Sequence, residues 1–448
     1  MSSLKVGTIL MIKLTTIAPD LRINALLCCS AAVLLTAAAS AAAAPDAFDI
    51  QGYNGGAVAD VSATQTEVAP ASTPLSRRGV RNAPAVASPA PAPSVATAVT
   101  PVTSYNYYVS PTGNDAAAGT KAAPFRTLAR AVKAVRPNST VFVAPGTYSG
   151  GFRNTISGTA SGRIYFVSTT KWGAKIVPPA NSTGDVAFDN RGSYVDIIGF
   201  EVNGSAIQSG TKWRYGIYNG GSYDSIRDNY VHHIAKTIPC TSGGGSAIGA
   251  DSYYKGVKAD IVSNVVHDIG PTACHFVQGI YMSTSGTIKN NVVYRVAEAA
   301  IHLWHDANNV IITNNTVTSS GTGIIVGGGD YYFTTAGANN VHVYNNIVYD
   351  NKYGISEQGR TGTSNTYRNN LVYQNTYPWT LKNGLKHTGT VATVPGFTSY
   401  SRTGTQNLKI TSGSAAVARG TSTYAHPTDV VGRPRNSSTG FDIGAYQH

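Results

Sequence analysis

Tyr281, His302 and Trp304 are the residues from which chemistry is expected first. They belong to six segments of one pattern: YGIYNGG from Tyr215, SAIGADS from Ser246, QGIYMST from Gln278, AAIHLWH from Ala299, TGIIVGG from Thr322 and YGISEQG from Tyr353. The isoleucine is constant, which marks it as the buried position of a strand. Its successor then faces outward, because side chains alternate along a strand. That outward column reads Tyr218, Gly249, Tyr281, His302, Ile325, Ser356. Two residues on, a second outward column holds Gly220, Asp251, Ser283, Trp304, Gly327 and Gln358. If successive segments pair about 4.8 Å apart, Tyr281 and His302 are neighbours, with Asp251 and Trp304 on the same face.

Tyrosine and histidine can exchange protons with a substrate without a metal. Lys212 and Arg214 lie in a loop feeding this face, His275 in another, and Lys or Arg can hold a carboxylate. These are the groups that β-elimination of a uronic acid needs: one neutralises the carboxylate, one removes the C5 proton and one protonates the leaving oxygen. Hydrolysis needs two carboxyl groups instead. Asp251, Glu298 and Glu357 are the acids near the face, and no close pair is evident from their spacing. His305 and Asp306 read as turn residues. His232 and His267 share an outward column with Tyr294, Tyr349 and Tyr373 on a different sheet, and read as a surface stack rather than a zinc site. GGGD at 327–330 reads as a turn.

Something must hold these strands in register. Six further segments do so, each placing an asparagine two residues before a valine: Asn229, Asn264, Asn291, Asn315, Asn346 and Asn370, at steps of 35, 27, 24, 31 and 24 residues. A quasi-period of that length in a Gly- and Val-rich chain, with short β runs and no helical period, means a β-solenoid. A buried asparagine has to satisfy both its amide and its carbonyl. Stacked on its equivalent one coil away, it does so along an interior ladder. The wide steps enclose inserted loops, in which Cys240 and Cys274 fall one coil apart. In an oxidising compartment the two are expected to form a disulfide.

The remainder sets the context. The chain has 448 residues, 12% of them charged, with 47 Gly and 26 Tyr, and a formal net charge of +12. Residues 1–44 read as a secretory signal, with basic residues ahead of ALLCCSAAVLLTAAA and a small-residue cleavage region near Ala44. Met11 is an alternative start, and Cys28 and Cys29 leave with the leader. The apolar run is too short for a transmembrane segment. Residues 45–103 are a Pro/Ala-rich linker, extended rather than folded. The folded domain, 104–448, opens with a strand at YYV. A helix follows between Pro124 and Pro137, with Phe125, Leu128, Ala131, Val132 and Val135 on its apolar face, placed to cap the open end of the coil. Without the leader the net charge is +10, from 31 basic and 21 acidic residues. That favours an acidic partner. No Arg/aromatic run suggests nucleic acid, so an acidic polysaccharide ranks first, bound by a monomer outside the cytoplasm.

The stretches YYVSPTGND, Gly119–Thr120, PFRTLARAV, VFVAPGTY and ISGTASGRIYFVS, with the closing GRPRNSSTGFDIGAYQH, resemble right-handed parallel β-helix proteins of the pectate-lyase-like superfamily. The N-terminal part is most similar to family-nine pectate lyases. The resemblance covers about residues 104–448. It implies an all-β right-handed parallel β-helix with a capping helix, and long loops walling an aromatic-lined saccharide groove. It also implies an Asp-rich calcium cluster and a catalytic lysine. No Asp-Asp-Gly run matches and acids are sparse in the repeats, so neither is assigned and no cofactor is predicted. The expectation is a secreted carbohydrate-active protein that cleaves an acidic polysaccharide by β-elimination. His302, Tyr281 and His275 are the catalytic candidates. Tyr218, Asp251, Trp304, Lys212 and Arg214 are the binding candidates. The alternatives are a non-catalytic glycan-binding β-helix and a glycoside hydrolase using Asp251 and Glu298.

Overall fold

The computed structural model describes residues 104–179, 185–205 and 213–448. The expected leader, the linker and Lys212 lie outside them. Each coil contributes one strand to each of three parallel sheets. The first sheet has eleven strands, from Tyr105–Val109 to Ser139–Val143 and onward to His387–Thr388. The second runs over nine, from Gly146–Ser149 to Leu371–Tyr373, and the third over nine, from Phe152–Asn154 to Tyr377–Thr380. An antiparallel pair, Phe397–Ser399 with Asn407–Ile410, follows the last coil.

The register is the one the repeats predict. Ile217, Ile248, Ile280, Ile301, Ile324 and Ile355 pair in sequence through the third sheet. Val231, Val266, Val293, Val317, Val348 and Val372 do so through the second. All twelve are buried. Burying one such side chain stabilises by about 1.5–3 kcal/mol, so slipping one coil by a residue would expose several of these at once.

At the turn between first and second sheets the asparagine ladder closes. Asn229 Nδ2 donates to Asn264 Oδ1 (3.1 Å) and to the Ile197 carbonyl (3.0 Å), and the Asn229 backbone N–H also donates to Asn264 Oδ1 (2.9 Å). The same three bonds recur at Asn264, Asn291 and Asn315. The preceding residue of each double asparagine has a different task. Asn290, Asn314, Asn345 and Asn369 take left-handed backbone angles (φ 51–63°), which asparagine tolerates better than most residues. They turn outward to hold the C-terminal tail. Asn290 donates to the Thr428 carbonyl (2.8 Å), Asn345 to that of Thr421 (2.8 Å) and Asn369 to that of Arg419 (3.0 Å).

The N-terminal helix is shorter than expected. It spans Leu128–Ala131, with Thr127 Oγ1 capping the Arg130 amide. The five predicted apolar residues are nonetheless buried in the main core at that end. Among the described residues no helix is long and apolar enough to cross a membrane.

Candidate functional site

The third sheet carries the floor of a cleft of about 470 Å³. Tyr218 pairs with Gly249, Gly249 with Tyr281, and Tyr281 with His302, so the predicted column is in place. Gly249 leaves a notch between the two tyrosines. The Tyr281 and His302 rings meet edge to face, centroids 5.3 Å apart at 88°. Trp304 lies 5.6 Å beyond His302. Its indole rests on glycine: a Cβ at Gly327 or Gly329 would come within 2.8 or 2.7 Å of the ring. Neighbouring coils thus lack side chains where the indole lies flat.

Two walls rise from this floor. One is built by Ser242–Gly245 and His275–Phe276. The loops that carry them are joined by the Cys240–Cys274 disulfide, Cα atoms 5.5 Å apart. The expected pairing is therefore present. The other wall comes from His305, Asp330 and Tyr332. His305 Nδ1 donates to the Asp330 carbonyl (2.7 Å), leaving Nε2 to accept from the Tyr332 hydroxyl (2.8 Å), and the two rings stack at 4.1 Å. Buried Asp306 beneath accepts the Thr334 amide (3.0 Å) and the Phe333 amide (3.2 Å), which fixes this loop. The GGGD turn is thus the entry to a cleft wall, a role its local sequence does not suggest. The 31-residue step from Asn315 to Asn346 was the available signal.

Electrostatically the column of Tyr218, Tyr281 and His302 on the floor is neutral. Burial, helped by nearby His305, pulls His302 down to about 3, so its imidazole is uncharged at neutral pH. His302 Nε2 is buried and has no hydrogen-bond partner among the described residues. Burial and then the charges around Tyr332 and Asp251 push Tyr281 far above the usual phenol range, so it holds its proton. Tyr218 is raised likewise by burial and by Asp251, to which its hydroxyl donates (2.7 Å). Asp251 also accepts from the Ser283 hydroxyl (2.7 Å) and the Tyr253 amide (3.0 Å).

The structure therefore brings Tyr218, Asp251, His275, Tyr281, His302 and Trp304 around one cleft. Arg214 is not among its lining; its guanidinium donates to the Gly244 carbonyl (3.1 Å) behind the first wall. Among the described residues no Lys or Arg lines the cleft. Two of the three expected acids lie elsewhere. Glu357 faces the interior, accepting from Asn365 (2.9 Å), the Tyr367 hydroxyl (2.8 Å) and the Lys382 amide (2.7 Å). It pairs with Val326, an inward position, because the acid follows Ser356 by one residue. Glu298 sits before its strand, accepts from Thr322 (3.2 Å), and does not line the cleft. The second carboxylate there is Asp330, near the Trp304 indole nitrogen (3.3 Å).

The calcium implied by resemblance to pectate lyases does not fit these residues. Calcium takes six to eight oxygen ligands, and Asp251 is already filled by three donors. Elsewhere His233, His267 and Asp268 bring ligand atoms within 4.8 Å of one another. That group is rich in nitrogen, and Arg295 grips Asp268 through Nε (2.8 Å) and Nη2 (2.7 Å).

Comparison with known proteins agrees with the coil. Residues 215–396 match the family described as right handed beta helix region, and residues 111–156 match a protein of unknown function, DUF1565. The uncharacterized protein YwoF of Bacillus subtilis (strain 168) is 30% identical over 138 residues, 29% of each chain, so the chain spans under a third of that relative. Among solved structures, pectate lyase Pel9A superposes with a TM-score of 0.54 at 18% identity, over 78% of this chain and 97% of that one. The alginate lyase from Paenibacillus sp. str. FPU-7 overlaps more loosely, with a TM-score of 0.37 at 18% identity over 55% and 84% of the two chains. With three parallel sheets, a ladder at the turn and this superposition, the chain has the right-handed parallel β-helix fold.

Proposed function

We propose that the chain is an exported carbohydrate-active enzyme that lays a uronate-containing polysaccharide along the third sheet and cleaves it by β-elimination. The observation that carries this reading is the pair Tyr281 and His302. A neutral imidazole with an unpartnered buried nitrogen stands 5.3 Å from a phenol that keeps its proton. In the reaction His302 takes the C5 proton, the C4–O bond breaks as the C4–C5 double bond forms, and Tyr281 gives its proton to the leaving oxygen. A bound carboxylate raises the basicity of His302, because an opposite charge nearby favours the imidazolium. We assign His275, on the tied wall, to hydrogen-bond that carboxylate. Trp304 offers an apolar face to a sugar ring. The Cys240–Cys274 disulfide supports an oxidising compartment.

Incubation with pectate, alginate and glucuronan, reading the absorbance of unsaturated uronates, tests the reading. Product with one of them is expected, and no product with any removes the lyase. A second reading, hydrolysis through Asp251 and Asp330, is favoured by those two carboxylates lining a cleft whose described residues include no cation. New reducing ends without unsaturation, lost in Asp330→Asn, would select it. Retained binding with neither product would leave a glycan-binding protein.

A further inference from the structure

On the far side of the disulfide-tied loops lies a second depression, of about 380 Å³. We infer that it is a separate anion-binding groove that holds an acidic stretch of the polysaccharide outside the cleavage cleft. The inference rests on the polysaccharide reading above.

Among the described residues four cations line the groove, Lys236, Arg295, Lys352 and Arg402, against a single lining carboxylate, Asp268. The two arginines are already fixed in place. Arg295 holds Asp268 and donates through Nη1 to the Gly404 carbonyl (3.0 Å). Arg402 holds the Asp350 carboxylate (2.7 Å) and carbonyl (2.9 Å). Little side-chain entropy is left to lose when an anion arrives beside them. Lys236 and Lys352 are exposed, and neither has a carboxylate within ion-pairing distance among the described residues. Between the cations the surface is polar, with Thr272, Ser319 and Ser320 and the bare backbone of Gly270 and Gly321. A ligand bearing both carboxylates and hydroxyls complements that lining.

Other anions fit less well. Among the described residues no aromatic ring lines the groove, so the stacking that single-stranded nucleic acid uses is missing there, and none of its lining residues is an exposed large apolar anchor of the kind that dominates protein interfaces. The same two loops wall both sites: Ser242–Gly245 and His275 face the cleft, while Lys236, Thr272 and Ala273 face the groove. A polymer seated in the groove therefore passes over a wall stapled by Cys240–Cys274.

The test uses the double variant Lys236→Gln/Lys352→Gln, which touches nothing in the cleft. Retention by intact polyuronate is measured by affinity electrophoresis in His302→Ala with and without the double change, so binding is scored whether or not cleavage occurs. A loss of at least threefold in affinity is expected, with a flatter salt dependence, while retention by uncharged dextran stays the same. In the active protein, turnover of short oligouronates is expected to stay unchanged and KM for polymer to rise. Equal retention with and without the change overturns the groove, as does displacement of polyuronate by an equal charge concentration of duplex DNA. Absence of unsaturated product in every assay, with the retention difference intact, would remove the lyase reading and leave the groove.

Discussion

The same coil builds two columns of histidine and tyrosine, and they end differently. On the second sheet His232 pairs with His267 and His267 with Tyr294, rings parallel to within 8° and 4.8–5.1 Å apart. Their polar atoms are largely taken. His267 Nε2 accepts from the Tyr230 hydroxyl (2.6 Å), and its Nδ1 donates to Asp268 (2.5 Å). His232 Nδ1 meets His233 Nδ1 (2.7 Å); its Nε2, 3.4 Å from Glu201, is the one ring nitrogen of the pair left without a hydrogen bond among the described residues, and no cleft opens onto it. On the third sheet Tyr281 and His302 cross at right angles, and His302 Nε2 has no partner. A parallel ladder makes neighbours of any two residues in one column. A reactive pair needs two further things: polar atoms the protein leaves unsatisfied, and walls that bound a cleft. Only the third-sheet column has both among the described residues.

The largest effect that tests this contrast is on turnover. His302→Ala and Tyr281→Phe are each expected to lower kcat at least tenfold, and toward a thousandfold if proton transfer limits the rate. His267→Ala should leave kcat within about twofold and lower thermal stability instead, because it breaks a filled stack. Equal losses of kcat at all three positions would erase the distinction between the columns.

Next comes the wall. Cys240→Ser/Cys274→Ser opens a loop of 34 residues, and the chain-entropy estimate for that length is about 3–4 kcal/mol. The melting temperature should fall, and kcat/KM should fall further than that of His267→Ala at matched stability, since His275 and the 242–245 turn lose their anchor. A variant that melts early yet cleaves normally when cold would show that the wall does not shape the site.

These outcomes bear on what a sequence can disclose. The ladder, the constant Ile and Val columns, the Tyr281–His302 adjacency and the disulfide were readable, because each follows from a period of two within strands and a coil of fixed rise. Two of the three acids do not stay on the face. Glu357 follows Ser356 by one position, so the same alternation turns it inward to Asn365 and Tyr367, and Glu298 precedes its strand. The second wall was missed because its order comes from Asp306, a coil away from the Tyr332–Thr334 amides it holds. The outer asparagines were missed for a similar reason: their partners lie 50–138 residues away in the tail. Short-range pattern reveals what repeats. It is silent on contacts made once.

A smaller effect concerns the indole. Gly329→Ala places a methyl 2.7 Å from the Trp304 ring, and its three nearest atoms all belong to that ring, so the ring must tilt off its bed. KM for polymer should rise severalfold while kcat changes less, as expected when binding common to ground and transition states is lost. The comparison position is Gly249→Ala, where the added carbon meets only Ser246 Oγ at 3.1 Å and Tyr218 at 3.7 Å, so the Trp304 bed is untouched. If Gly329→Ala lowers kcat as strongly as His302→Ala, Trp304 belongs to the reacting group and not to the platform.

The smallest effect is on acid stability. His302 is held near 3 and His232 near 4 in the folded chain, both lowered first of all by burial. A histidine unfolds to an ordinary value of about 6.5. Below that pH the unfolded chain takes up a proton that the folded one refuses, so stability is full above about 6.5 and declines as pH falls toward the folded values. At pH 5 each histidine costs on the order of 2 kcal/mol relative to pH 7.5. His302→Phe keeps an aromatic ring beside Tyr281 and removes the titration, so its loss between pH 7.5 and 5 should be smaller than that of the parent by about that amount. At pH 5 His232→Phe should show nearly the same relief, because both folded values lie below that pH; at about pH 3.5 its relief should be smaller, because His232, with Glu201 3.4 Å from its Nε2, takes up its proton in the folded chain before His302 does. Denaturant unfolding at about pH 7.5, 5 and 3.5 measures both. Equal relief at about pH 3.5 would mean that the second-sheet stack refuses the proton as strongly as the cleft floor does, and the contrast between the columns would then rest on the walls alone.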